Sequence, residues 1–331
     1  MQSNVNVRAG SVKQTVKTLV CSGLQQELAV KIKLSALSRS GALTILNLHR
    51  VTHGRGSCAS ISASLFDELL PWLKQRFSLV GFDELSRLPA GDKPPMIISF
   101  DDGYKDFIDI AAPLLEKHRV RVNQNVLPAA IESGRPPMNV ILQDFINAAP
   151  ATHLREVPLP GLPAGADPDN RARSCLTCST VFKAQPIAEQ KAQFSRLQPQ
   201  IERLDNFRPS PMMTIEEVRQ LAGSHQFGAH SFEHATMAAE SDDYLKDDAR
   251  KCREYFLERL NFAPSVYAFP NGSYRAGQPE IVHAAGFALV LLGGARYSRL
   301  DAWRHHRFNF YADSQMEARA RALGWPSVFA R

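Results

Sequence analysis

Cysteine is scarce in this chain of 331 residues: there are five, an odd number, and Cys21, Cys58 and Cys252 lie far from one another. Such spacing supports no disulfide framework and makes a reducing compartment the default expectation. Cys175 and Cys178 form a single C-x-x-C. No second Cys or His pair accompanies it, as a structural zinc site would require, and no clear strand-then-helix setting marks a thioredoxin-type motif, so the two read as plain loop cysteines. Long apolar runs are missing as well. Nothing reaches 18 consecutive apolar residues, and Met1 to Gly10 lack the charged-then-apolar pattern of a secretory signal, so a cytoplasmic protein is expected. Charge of one sign is also wanting. The 39 basic residues exceed the 33 acidic ones only mildly and are spread along the chain, which gives no reason to expect a nucleic-acid partner.

What is present is an ordinary globular composition, 44% hydrophobic and 22% charged, long enough for one large domain or two ordinary ones. Val12, Val16, Leu19, Val20, Leu24, Leu28 and Ile32 fall at helical spacing with Lys13, Lys17, Lys31 and Lys33 among them. A helix packed on the body of the protein is the simpler reading; the other is peripheral contact of residues 12–37 with the inner membrane. From residue 42 onward β and α alternate: strands at 42–48, 77–80, 96–100 and 120–127, helices at 64–75 and 107–118. The alternation stops at about Pro128 and resumes with a helix at 214–222, where Thr214 and Glu217 make a capping box. It continues through a strand at 226–229, a helix at 243–260, a strand at 266–269, a helix at 279–285 and a strand at 288–292. This pattern predicts a mainly parallel sheet or barrel with helices outside. The interruption contains PLPGLPAGADPDN at 158–170, an exposed loop by composition. Its helical pieces at 140–148 and 187–204 are too few to enclose a core of their own, which suits an insertion better than a separate domain. The expected organisation is an N-terminal amphipathic helical segment (1–40), a first part of the main fold (41–128), an insertion (129–211) and a second part (212–331).

Two short motifs carry chemistry. Asp101 and Asp102 directly follow the apolar strand 96–100 and precede Gly103. The carboxyl end of a strand is where barrels and open α/β sheets build their sites, and adjacent carboxylates call for a cation or a shared proton. Asp-Gly is also a turn signal on its own. His230-Ser231-Phe232-Glu233-His234 places two histidines four apart, also after a short strand, and a helical turn there would bring both imidazoles to one cation. Two neutral imidazoles and one carboxylate form a facial set with open positions, the arrangement of a catalytic metal site. One carboxylate would hold the metal and the other would take a proton from water.

Phe100-Asp101-Asp102-Gly103-Tyr104 resembles the first motif of the polysaccharide deacetylases, the NodB-homology group or carbohydrate esterase family 4. His230-Ser231-x-x-His234 is similar to their second motif, and Tyr267-Ala268-Phe269-Pro270-Asn271-Gly272-Ser273-Tyr274 to their third. Leu46-Asn47-Leu48-His49-Arg50-Val51 resembles the Y-H-R-V segment of bacterial members that trim surface polysaccharides. The resemblance covers about residues 42–128 and 212–310. It implies an irregular (β/α)7-type barrel that removes acetyl groups from N-acetylated sugars of a polysaccharide or its precursor with Zn²⁺ or another divalent transition metal; the insertion and the N-terminal helix are additions that the resemblance does not explain.

By the same resemblance Asp101 is the general base, Asp102, His230 and His234 hold the metal, and Ser231 steadies the histidine loop. The amide of Asn271, after Pro270, takes the oxyanion hole. His49, Tyr104 and Tyr274 would meet the sugar, and Arg307 would support a site carboxylate. The segment Trp303-Arg304-His305-His306-Arg307 stands where the family supplies a histidine as general acid, which leaves His305 and His306 as the choices. Two departures are plain: Ala268 stands where many members carry an arginine that orients the base, and Asn271 replaces the tyrosine usual after the proline. With the unsettled choice of acid, they keep open a carbohydrate-binding relative without turnover; an O-acetyl esterase is a separate alternative.

Overall fold

The computed structural model describes residues 27–54, 60–88, 91 and 93–325. Residues 12–26, the larger part of the expected N-terminal stripe, lie outside the described residues, as do Cys21 and Cys58. Its described end is a helix, Glu27–Arg39, which turns Val30 and Leu37 inward while Leu28 and Ile32 remain 69% and 61% exposed. Among the described residues no helix is long and apolar enough to cross a membrane.

Twelve strands follow among the described residues: β1 (Ala42–Leu48), β2 (Arg50–Thr52), β3 (Ser60–Ser62), β4 (Ser78–Leu79), β5 (Pro95–Phe100), β6 (Asn123–Val126), β7 (Gln226–Ala229), β8 (Val266–Ala268), β9 (Leu289–Leu292), β10 (Ser298–Arg299), β11 (Arg304–His306) and β12 (Phe308–Asn309). The main sheet runs β10-β1-β5-β6-β7-β8-β9-β11, and every neighbouring pair except β1 with β10 is parallel. Closure comes from one short stretch. β11 pairs with β9, and two residues later β12 pairs with β1, so residues 304–309 join the two edges of the sheet into a barrel with Arg307 at the crossover. Seven parallel staves result.

Staves β1 and β5 are buried on both sides, which explains the runs ALTILNL and PMIISF. Successive side chains alternate across a strand. Leu46, Leu48, Met96, Ile98 and Phe100 therefore meet the surrounding helices in one cluster, while Leu43, Ile45, Ile97, Val266, Ala268 and Leu291 form another inside the barrel, together with Val80 and Phe82. Beyond that inner apolar layer, toward the carboxyl ends of the strands, the interior turns polar: Asn47, Ser99, Asn123, Asn125, Asp101 and Arg307 are buried and bonded to one another. The polar layer is the floor of the site.

The helices outside match the sequence pattern closely, with Thr214 and Glu217 bonded in the expected capping box. The insertion differs from expectation. Helices Ala151–Glu156 and Arg171–Lys183 join Met138–Ala148 and Ile187–Glu202, and the four enclose a hydrophobic cluster distinct from the barrel's, with Leu142, Phe145, Ile146, Leu154 and Phe182 fully or almost fully buried. Asn170, the last residue of the Pro/Gly-rich run, accepts a hydrogen bond from the Arg173 N–H and so starts a helix where composition reads only as loop. Cys175 and Cys178 lie on that helix, three apart, both facing the insertion's core. They are helix-core residues and not loop cysteines.

Candidate metal centre

Asp101 is still on the sheet ladder, its N–H donating to the Leu48 carbonyl. In a continuing strand Asp102 would point to the opposite face. It adopts φ +77° instead, followed by Gly103 at +87°, and an aspartate tolerates this left-handed turn better than most residues. Both carboxylates therefore reach the same imidazole: His230 Nε2 is 3.8 Å from Asp101 Oδ2 and 3.5 Å from Asp102 Oδ1. A side chain at Gly103 would crowd Val126 and Ile131, so the turn is also tight from outside.

His230 leaves β7 with its N–H on the Val126 carbonyl, and its Nδ1 donates to the carbonyl of Ala268 at 2.9 Å. That bond assigns the proton to Nδ1 and leaves the Nε2 lone pair facing Asp102. His234 arrives by a loop and not by the helical turn anticipated from the spacing. Ser231 and His234 both take left-handed conformations, at φ +62° and +64°, and the Ser231 hydroxyl accepts the Ala235 N–H. His234 Nε2 then lies 3.6 Å from Asp102 Oδ1. The ligand atoms of Asp102, His230 and His234 are all within 4.8 Å of one another.

Burial lowers the His230 pKa to about 4 and that of His234 to about 3, against the pull of Asp101 and Asp102 respectively, so both rings are neutral at pH 7. Asp102 Oδ1 is buried without a hydrogen-bond partner among the described residues. A buried carboxylate oxygen with no hydrogen-bond partner, 3.5 Å from the His230 Nε2 lone pair and 3.6 Å from His234 Nε2, calls for a cation among the three. The donor set thus fits a divalent ion of the kind that nitrogen and oxygen ligands bind at about 2.0–2.2 Å.

Asp101 is held differently. Its Oδ1 accepts from Arg307 Nη1 at 2.7 Å and from Asn125 Nδ2 at 2.8 Å. Burial opposes its ionisation, but Arg307 first, then His230 and His49, outweigh the burial and keep the carboxyl well below the usual carboxylate range. Oδ1 is tied down, and Oδ2 is left toward the histidines. Arg307 reaches Asp101 from the barrel crossover and also donates to Asn47, so a guanidinium meets this carboxylate although Ala268 supplies none.

Other expected residues fall out unevenly. His49, at the break between β1 and β2, lies close enough to Asp101, His230 and His234 to bear on the ionisation of all three. Asn271, at φ +58° in the turn Pro270–Gly272, bonds Thr236 through its side chain, and its backbone N–H has no partner among the described residues. Pro270 is buried at the start of that turn, and Gly272 packs so tightly on Gly293 that a Cβ would lie 2.6 Å from the Gly293 Cα.

Tyr274 is half-buried against Phe269 and lines a surface hollow with His306, Leu292 and Trp303. Tyr104 is no sugar platform: it is 5% exposed, packed with Leu127, Val140 and Met212 and covered by the Arg50 guanidinium. His305 and His306 are not brought to the metal centre either. His305 points into the apolar inner layer against Phe82, with neither ring nitrogen bonded, and His306, one residue on, points outward to the Gly293 carbonyl. Alternation along β11 separates them.

Two contributors have no counterpart in the motifs. Asn125 is betrayed only by being the third polar residue in a buried strand, Asn123-Gln124-Asn125. Asp248, which accepts the Phe232 N–H, looks in sequence like its half-buried neighbour Asp247.

The family model described as Polysaccharide deacetylase matches residues 187–290, a span that holds His230, His234 and the 267–274 segment but not the two aspartates. Among solved structures, the chain is similar to IcaB from Ammonifex degensii (16% identity, TM-score 0.56, covering 85% of this chain and 97% of that one). It is also similar to the Streptococcus pyogenes deacetylase PplD, solved in complex with acetate (14%, TM-score 0.52, 80% and 91%), and to a polysaccharide deacetylase from Bacillus cereus (11%, TM-score 0.54, 85% and 69%). At these identities the likeness is one of fold. No curated protein matches the chain by sequence.

Proposed function

We propose that this chain, a member of the polysaccharide deacetylase family, hydrolyses the acetamido group of N-acetylated sugars in a polysaccharide or its precursor, with Zn²⁺ or a similar divalent ion held by Asp102, His230 and His234. The observation that carries the reading is the division of the two aspartates: Asp102 faces both imidazoles with an unpartnered oxygen, while Asp101 is fastened by one oxygen and open at the other. When bound, the ion supplies Lewis acidity toward the acetyl carbonyl and acidifies water. Asp101 Oδ2 takes the proton of the attacking water. The Asn271 N–H, which has no other partner, donates to the oxygen on which charge develops, and a donor so placed contributes about 3 kcal/mol. His49 returns a proton to the departing amine, since it is the remaining histidine at the centre and His305 and His306 face elsewhere.

A binding relative without turnover was suggested by Ala268, which removes the arginine that orients the base. Arg307 on Asp101 supports an intact base and weakens that alternative. The test is acetate release from N-acetylhexosamine oligomers by the full chain, before and after chelation and metal add-back, alongside Asp101→Asn. Release that survives chelation, or an Asp101→Asn variant at the parent rate, would sink the proposal.

A further inference from the structure

Asp248 is a buried carboxylate that the proposed chemistry does not use. It sits on the helix Asp242–Tyr255, 3% exposed, and no Lys or Arg among the described residues pairs with it. A buried carboxylate without a cation is costly unless its oxygens are well satisfied. Here both are: Oδ1 accepts the Phe232 N–H at 2.9 Å, and Oδ2 accepts the Tyr267 hydroxyl at 2.7 Å and lies 3.8 Å from Cys252 Sγ. The two partners are not arbitrary. Phe232 lies midway between His230 and His234, in the loop whose left-handed residues set the directions of both rings. Tyr267 immediately precedes Ala268, whose carbonyl holds His230 Nδ1. One carboxylate therefore clamps the loop that carries both imidazoles to the strand that orients one of them.

We infer that Asp248 is a positioning residue for the metal centre, setting ion affinity from behind the histidine loop; the inference rests on the proposed metal site. Outer partners that orient metal-bound histidines typically alter affinity by roughly 10- to 100-fold. In metal-free full-length protein, Zn²⁺ affinity read by competition with a chelating dye should fall by about that factor in Asp248→Ala. It should fall by about 3- to 10-fold in Tyr267→Phe, which removes a single bond. Asp248→Asn, which keeps one acceptor oxygen, should lie between Asp248→Ala and the parent.

Phe182→Ala is the control: it opens a cavity in the insertion's core, lowers the melting temperature and should leave the Zn²⁺ affinity unchanged. If Asp248→Ala does not fold, Tyr267→Phe decides. An affinity within twofold of the parent in the folded variants, or an equal loss in Phe182→Ala, overturns the assignment. Failure of the parent itself to bind Zn²⁺ overturns the metal site along with it, whereas normal binding by parent and variants alike overturns this inference alone.

Discussion

Replacing Arg307 by methionine removes the cation that holds Asp101. The Arg307 and Asp101 side chains are 3% and 2% exposed and meet at 2.7 Å, so solvent screening does little to weaken the pair. Removing one partner of such a pair leaves an uncompensated buried charge and costs about 3–5 kcal/mol. For a chain of this size that corresponds to a drop in melting temperature of roughly 4–7 °C in metal-free protein. The sign of the pH effect follows from the carboxyl.

Asp101 is held below its unfolded value, so the stability it contributes is present above about pH 4, the unfolded aspartate pKa, and is lost as pH falls further. Without Arg307, burial, which pushes the pKa up, loses its strongest opponent, and the acid limb of the deacetylation pH profile should move to higher pH. Differential scanning calorimetry and a pH–rate series measure the two effects. In the double variant with Asp101→Asn, the cost of losing Arg307 should shrink by 2 kcal/mol or more, because the charge left unpaired is gone. A melting temperature within 2 °C of the parent together with an unmoved acid limb would refute the assignment of Arg307 as the holder of the base.

Other outcomes follow from the same geometry. His49→Gln should lower kcat on N-acetyl sugars by about 10²- to 10⁴-fold while sparing an activated aryl acetate, whose leaving group needs no proton; equal losses on both would remove His49 as the acid. Burial lowers the pKa of His225 and of His305 to about 4, below the unfolded value near 6.5. Stability should therefore decline as pH falls from about 6.5 toward 4, and His305→Leu should flatten that decline in urea titrations; an identical slope would count against it. Gly272→Ala puts a methyl against the Gly293 backbone at a left-handed position, and kcat should fall without loss of bound metal, measured by activity and metal content of the same sample.

Much of the site was legible because its chemistry is local. The turn after a buried strand, Asp101-Asp102-Gly103, and the pair His230 and His234 each declare themselves within five residues, and strand-end placement follows from apolar runs that any parallel stave must have. The same locality misled at Tyr104, His305 and His306. Whether a residue near a motif faces substrate, core or solvent depends on which side of its strand or turn it occupies, and one residue of register reverses the answer.

The sequence by itself singled out the residues that meet at the candidate metal centre, because adjacent carboxylates and paired imidazoles are recognisable wherever a strand delivers them. Tertiary structure decided how those residues are held. Arg307 reaches Asp101 across 206 positions only because β11 and β12 close the barrel, and Asp248 reaches the histidine loop only because its helix packs behind it. The insertion's core exists only because four helices that are individually unremarkable bury one another. Contacts of this kind arise from closure and packing, and a linear pattern carries no term for either.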